Sequence, residues 1–117
     1  LTDMSNCFLE CENLVSVANI PSGVRDMRDC FAGCIRLKTA PVIPYGVLEM
    51  SYCFKGCKSL TSVTLKCNYG GKSAFLNAFG LCDKLTAGTI KVPSTQLDAY
   101  RAGADDMGTQ QNRFVGE

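Results

Sequence analysis

Apolar residues recur along the chain at a fixed interval, and this recurrence is the most informative feature of the sequence. Met4, Met27 and Met50 are separated by 23 residues each time. A fourth copy of the pattern follows after an insertion of two residues. Because several positions keep one register over consecutive copies, the chain contains an internal repeat. The positions in register are Met4, Met27, Met50 and Phe75; Cys7, Cys30, Cys53 and Ala78; Phe8, Phe31, Phe54 and Phe79; Cys11, Cys34, Cys57 and Cys82; and Leu14, Leu37, Leu60 and Leu85.

Each copy combines two kinds of hydrophobic pattern. Its apolar residues first fall three or four positions apart, which predicts a short helix with one buried face. An extended stretch with partial alternation follows and predicts a short strand at residues 15–20, 38–43, 61–66 and 86–92. In the first two copies the chain turns through residues 21–24 and 44–47. The Pro and the Gly two places after it predict a type I turn that has Pro at its second position and Gly at its fourth. One such unit cannot cover its own apolar face, so we expect the copies to stack.

The repeat resembles the BspA-like leucine-rich repeats, whose hallmark is Ala-Phe-x-x-Cys-x-x-Leu at the end of an apolar helix, followed by a strand. The variant with Cys before Phe, and with Ile-Pro-x-Gly-Val after the strand, resembles one common in surface proteins of anaerobic bacteria. The third copy departs from it, since residues 64–71 replace that corner and predict a longer connection. The stretches that carry the motif are 7–14, 30–37, 53–60 and 78–85.

The resemblance covers about residues 1–93 and implies an α/β solenoid of right-handed sense, with short parallel strands on one side and short helices on the other. The residues that follow do not repeat and predict a C-terminal helical cap. Residues 1–93 divide into four repeats, and residues 94–117 form the cap and a polar tail. Thr95 and Asp98 are spaced as a capping box for a helix that Gly103 would end. No equivalent cap precedes the first copy, so we expect either further repeats before Leu1 or self-association through this N-terminal edge. The four repeats are 1–24, 25–47, 48–70 and 71–93.

Composition narrows the possible functions. The chain has 117 residues, 8 cysteines, no histidine and a net charge of +1. Without His the chain lacks the usual general base and the commonest metal ligand, so we predict that it is not an enzyme and needs no cofactor. The small charge gives no field that would attract nucleic acid. No apolar run approaches the ~20 residues of a membrane helix, and no targeting signal is recognisable, so an extracellular or cell-surface location is implied by the resemblance alone.

The cysteines admit three interpretations. Pairs such as Cys30 and Cys34 are four residues apart, and buried cysteine commonly fills a core as a small hydrophobe. Disulfides between neighbouring copies and a zinc site built from thiolates remain as alternatives. Cys67 lies outside the repeated positions and is predicted to be the exposed, reactive thiol.

The resemblance implies a non-catalytic protein-interaction or adhesion module with an unknown protein or glycan partner. The alternative is a structural spacer, or a capping domain of a larger surface or phage appendage protein, with no ligand of its own. Small polar residues at outward strand positions and tyrosines near the corners are the candidate contacts. The candidate protein-binding residues are Ser16, Thr39, Pro41, Tyr45, Ser62, Thr64 and Tyr69.

Overall fold

The computed structural model describes residues 2–117; Leu1, the first residue of the predicted N-terminal edge, lies outside the described residues. Three short parallel strands, β1 (Val63–Thr64), β2 (Ile90–Val92) and β3 (Phe114–Gly116), form one sheet in that order. Isolated parallel bridges at Thr39–Ser62 and Ile43–Leu65 continue this pairing into the second copy. One α-helix, α1 (Leu97–Ala102), lies in the C-terminal segment.

Strands form in the third and fourth copies, the second copy makes only isolated bridges, and the first copy forms no strand. In the sheet, Val63 pairs with Ile90, and Ile90 with Phe114, and all three side chains are buried. The predicted strands at 61–66 and 86–92 are therefore confirmed in their central or final residues. The stretch 38–43 makes only isolated bridges, and 15–20 forms no strand. Pro41 limits the pairing of the stretch 38–43, because a proline has no N–H to donate to the ladder.

The predicted helices of the copies are not formed; among residues 2–117, α1 is the only α-helix. Consecutive four-residue turns occupy these stretches instead. In the second copy the N–H of Cys30 donates to the C=O of Met27, and the N–H of Cys34 donates to the C=O of Phe31. The third residue of the first turn is Asp29, whose φ of 55° is positive, as a type II turn requires at that position. A positive φ recurs at this position in the other copies, at Asn6, Tyr52 and Asn77.

Backbone hydrogen bonds join each run of turns to the next copy. The N–H of Met27 donates to the C=O of Glu49 at 2.8 Å, and the N–H of Phe31 donates to the C=O of Cys53 at 2.8 Å. Alternate residues bond between copies, and the intervening ones bond within their own turns. The first and last residues of each turn are the buried ones, so a run of turns shows the same apolar spacing as a helix.

The core is a set of ladders that run through the stacked copies. The phenyl rings of Phe8, Phe31, Phe54 and Phe79 stack nearly parallel, with centroids 5.3, 5.4 and 5.8 Å apart. The Met and Leu ladders are buried as well. In the first copy, Phe8 of the phenylalanine ladder and Leu14 of the leucine ladder are half-buried. These two have a neighbouring copy on one side only within the described residues. The prediction that the ladders form the core is confirmed.

The second cysteine of each motif does more than fill space. The thiol of Cys57 donates to the C=O of Phe31 at 3.1 Å, in the preceding copy. Cys34 and Cys82 make the same bond to Phe8 and Phe54. All eight cysteines are free thiols. The ladder therefore combines apolar packing with a repeated S–H···O=C bond.

Tight turns form at the corners, but each turn begins one residue later than predicted. The N–H of Val24 donates to the C=O of Pro21 at 3.1 Å, and the N–H of Val47 to the C=O of Pro44 at 3.4 Å. Each proline is therefore the first residue of its turn, and the expected second position was wrong. Ser22-Gly23 and Tyr45-Gly46 occupy the centres of the two turns.

The C-terminal segment closes the stack. A 3₁₀ turn at Ser94–Gln96 leads into α1 without a side-chain capping bond, so the predicted capping box at Thr95 is not formed. The helix ends at Ala102, and Gly103 follows it as the predicted stop. The rest is not simply polar, because Met107 and Phe114 are buried and the strand β3 completes the sheet.

Candidate protein-interaction surface

The strand-side candidates form a small polar surface. Ser16, Thr39 and Ser62 are exposed, and Thr64 is half-buried within β1. Thr39 and Ser62 are bridge partners and therefore lie side by side in adjacent copies. These side chains are short and offer hydroxyl groups rather than large apolar contacts. They suit the margin of an interface better than its centre.

Pro41 does not lie on this surface. Its side chain is buried, whereas the sequence pattern placed it outward. Ile43, two residues further along, is also buried. Thr39 keeps its expected outward direction, but from Pro41 onwards the buried and exposed residues alternate with a phase one residue from that expected.

Tyr69 is half-buried and packs against the core. Its ring centroid lies 5.3 Å from that of Phe75 and 5.4 Å from that of Tyr100, and its N–H donates to Gln96 Oε1 at 3.2 Å. The ring also lies so close to Gly103 that a Cβ there would collide with it. Burial, together with the charge of Asp106, raises the pKa of Tyr69. Tyr69 therefore holds the C-terminal segment, and the longer connection of the third copy is where that segment docks.

Cys67 is buried beside the same cluster, so the expectation of an exposed thiol was wrong. The hydroxyl of Tyr100 donates to the C=O of Cys67 at 2.7 Å. The Cys67 thiol lies 3.6 Å from that hydroxyl. Burial raises the pKa of the Cys67 thiol, which disfavours the reactive thiolate. The exposed cysteine is Cys7.

Tyr45 stands out from the other candidates because it remains exposed within an apolar corner. Its side chain is 74% exposed, and Leu48 and Val42 in the same corner are 64% and 51% exposed. The guanidinium of Arg25 lies over Gly46, where any Cβ would collide with it. We call Val42, Tyr45 and Leu48 the Tyr45 corner.

Sequence reasoning found Tyr45 but missed Val42 and Leu48. The signal that could have identified Val42 and Leu48 was a departure from the repeated pattern rather than the pattern itself. Val42 stands where the first copy has Asn19, and Leu48 stands where the second copy has Arg25. Apolar residues at positions that are polar in a neighbouring copy are not explained by core packing.

A row of acidic residues follows the corners along the chain and forms no site. Asp3, Asp26 and Glu49 are parallel bridge partners in successive copies. The Arg28 guanidinium contacts Asp26 at 2.6 Å, and its hydrogen bonds hold the pKa of that carboxyl below its usual value. Residues 2–117 contain no group of three or more potential metal ligands and enclose no pocket. In the same residues, no helix has the length and apolar character needed to cross a membrane.

Comparison with known families agrees with this architecture. A family model described as BspA type leucine-rich repeat region (6 copies) matches residues 4–100, which is most of the chain. Repeats of this family are typically non-catalytic and suggest a protein-binding module. Neither curated proteins nor solved structures gave a significant match. The chain belongs to the BspA-type leucine-rich repeat family.

Proposed function

We propose that this chain is a protein-interaction module of a bacterial surface protein, and that the Tyr45 corner is the centre of its contact surface. The exposed apolar side chains of this corner are the observation that carries the proposal. Apolar side chains clustered at a surface mark an interaction site more often than singly scattered ones. Tyrosine and arginine are also the residue types that most often dominate binding energy, and Arg25 adjoins the corner.

The strand-side hydroxyl residues complete the proposed surface. Ser16, Thr39, Ser62 and Thr64 would surround the apolar centre as a polar margin, which is the usual anatomy of an interface. We infer that the stacked copies form one continuous right-handed solenoid, in which this margin and the corner adjoin. The association of the BspA family with the cell surface supports the proposed location.

A purely structural spacer is the competing function, and the surface distinguishes the two. A spacer has no need for an exposed tyrosine flanked by two exposed aliphatic side chains. Such residues carry an association risk that a surface without a partner would avoid. The Tyr45 corner therefore favours a binding role.

The test is a pair of variants measured against the strongest saturable binder found in a screen of surface proteins and glycans. Tyr45→Ala should weaken binding about 30-fold, which corresponds to the loss of a 2 kcal/mol hot spot. Its melting temperature should stay close to that of the parent, because the side chain is largely exposed. Lys58→Glu is the matched control, since Lys58 is exposed on the turn side.

Thr39→Arg separates the two parts of the surface. If the Tyr45 corner is the centre, this variant should weaken binding less than Tyr45→Ala does. A larger effect of Thr39→Arg would place the centre on the strands, and silence of both variants with a confirmed binder would refute the proposal.

A further inference from the structure

The outward face of the sheet continues from the Tyr45 corner. Thr64, Lys91 and Val115 are register partners in successive strands. The later of the two bridges between the second and third copies places Val42 of that corner beside Thr64. Lys91 and Val115 are exposed, and Thr64 is half-buried. The corner and the sheet therefore form one surface, with an apolar side chain at each end of this row.

Positive charge is concentrated on the outward face of the strand stretches. Three lysines and one glutamate are the charged residues of these stretches, namely Lys38, Lys66, Lys91 and Glu117. The other acidic residues lie on the turns, the corners and the C-terminal segment. Glu49 adjoins the Tyr45 corner, but its charge acts on Arg28 in the acidic row. A chain with a net charge of only +1 therefore presents a cationic surface beside its apolar corner.

The ammonium groups of Lys66 and Lys91 converge on one carboxylate. Lys66 Nζ lies 2.9 Å from Glu117 Oε1, although the two residues follow β1 and β3, on either side of β2. The hydrogen bond from Lys66, together with the charges of Lys66 and Lys91, holds the pKa of Glu117 below its usual value. Both side chains of the ion pair remain about half exposed, so an incoming group can reach this position. The two lysines are thus arranged to receive a carboxylate.

This pair of lysines adjoins the Tyr45 corner. The backbone N–H of Lys66 donates to the C=O of Ile43 at 2.9 Å, two residues before Tyr45. Val42 and Leu48 are aliphatic, and they pack best against aliphatic or aromatic side chains, which a peptide supplies and a glycan lacks. The surface therefore fits a protein segment that carries an apolar side chain next to a carboxylate.

We propose that Lys66 and Lys91 form a carboxylate-binding subsite beside the Tyr45 corner, and that the partner docks there through an acidic protein segment. This inference rests on the proposed interaction role of that corner. In the free chain Glu117 occupies the subsite, and the carboxylate of the partner displaces it. The apolar side chain of the segment lies against Tyr45, and its Asp or Glu lies between the two ammonium groups.

The test is a selection of random dodecapeptides, displayed on phage, against the full chain. Enriched peptides should carry Asp or Glu well above the frequency in the starting library, next to an aromatic or aliphatic residue. The double variant Lys66→Glu/Lys91→Glu should bind these peptides at least about tenfold more weakly, because both positions then repel the carboxylate. Its melting temperature should stay close to that of the parent, since both lysines are exposed.

The double variant Lys58→Glu/Lys84→Glu is the matched control. It makes the same change in net charge at exposed positions on the turn side. Its affinity for the selected peptides should stay close to that of the parent, because the reversed charges lie away from the subsite.

Glu117→Gln tests whether Glu117 occupies the subsite. Removal of the competing carboxylate should strengthen peptide binding about twofold to fivefold, the range expected for an exposed ion pair. An unchanged or a weaker affinity would show that Glu117 does not compete with the partner, and would contradict the proposed displacement.

Three results would overturn the proposal. One is the enrichment of peptides that lack acidic residues but still require Tyr45; the corner would then be an interaction site without a carboxylate subsite. Another is an equal loss of affinity in the two double variants, which would reduce the effect to net charge. The third is the absence of any enriched peptide, with or without binding of acidic glycans, which would exclude a protein segment. In that case the effect of Tyr45→Ala on a folded partner still tests the corner independently.

Discussion

At the residue scale, the third position of each turn controls the local backbone. Asn6, Asp29 and Gly33 occupy such positions, and all three residue types tolerate a positive φ. Glu10, Tyr52 and Leu81 also have a positive φ at this position, although their residue types disfavour it. Leu81 has a φ of 60° and is 61% exposed. Its strained backbone is not offset by burial, so this position limits the stability of the fourth copy.

Leu81→Gly should therefore raise the free energy of unfolding by roughly 0.5–1 kcal/mol, as relief of the left-handed strain exceeds the extra entropy of the unfolded glycine. Gly56→Ala is the matched change at the equivalent position of the third copy. It should lower stability through backbone strain alone, since a Cβ there would meet only ordinary contacts at 3.7 Å. Denaturant titration measures both, and effects of the same sign would contradict this account of the turns.

The cysteines should divide into two reactivity classes. In the folded protein Cys7 and Cys11 should react with a thiol reagent, because they lie at the open edge of the first copy. The other cysteines should react only after unfolding. Burial raises the pKa of Cys30 and of Cys82 to about 12, so their thiolates are scarce at neutral pH. Mass spectrometry after native alkylation should find two modified sites, and rapid labelling of Cys67 would contradict the packing described.

At the scale of elements, the sequence predicted the repeat and its core but not the conformation of the apolar segment. Met27 and Phe31 begin their turns, Cys30 and Cys34 end theirs, and all four face inward, which produces the spacing of a helix face. The distinguishing signal lay in the polar positions, where Asn, Asp and Gly recur at the third residue of a turn. Apolar periodicity alone does not separate these two structures.

The candidate surface was predictable to a similar degree. Tyr45 follows from its residue type and corner position, and the exposed strand residues follow from alternation. Tyr69 could not be placed, because its packing partners Gly103 and Tyr100 lie far along the chain. Pro41 was misplaced because a one-residue error in strand phase reverses the direction of a side chain.

The docked cap makes a separate prediction. Gly103→Ala should cost about 1–3 kcal/mol, the usual range for overpacking, because the new methyl group collides with Tyr69. In a Tyr69→Leu background the same change should cost much less, since the colliding ring is gone. Equal costs in the two backgrounds, measured by denaturant titration, would show that Tyr69 does not hold the cap.

At the scale of the whole molecule, the ladders make the copies depend on one another. Phe31→Ala should cost about 3–5 kcal/mol, because its fully buried ring is stacked on both sides. Phe8→Ala should cost less, since Phe8 is half-buried and stacked on one side. Thermal unfolding of the two variants measures the difference, and equal losses would contradict the view that stability accumulates along the stack.

The most direct test of the central claim, that successive copies are joined by backbone hydrogen bonds from turns, is the measurement of scalar couplings across hydrogen bonds by nuclear magnetic resonance. The amide nitrogen of Phe31 should couple to the carbonyl carbon of Cys53, and the amide nitrogen of Met27 should couple to the carbonyl carbon of Glu49. Couplings from these amides to carbonyls four residues earlier would instead show α-helices within the copies, and would contradict the account.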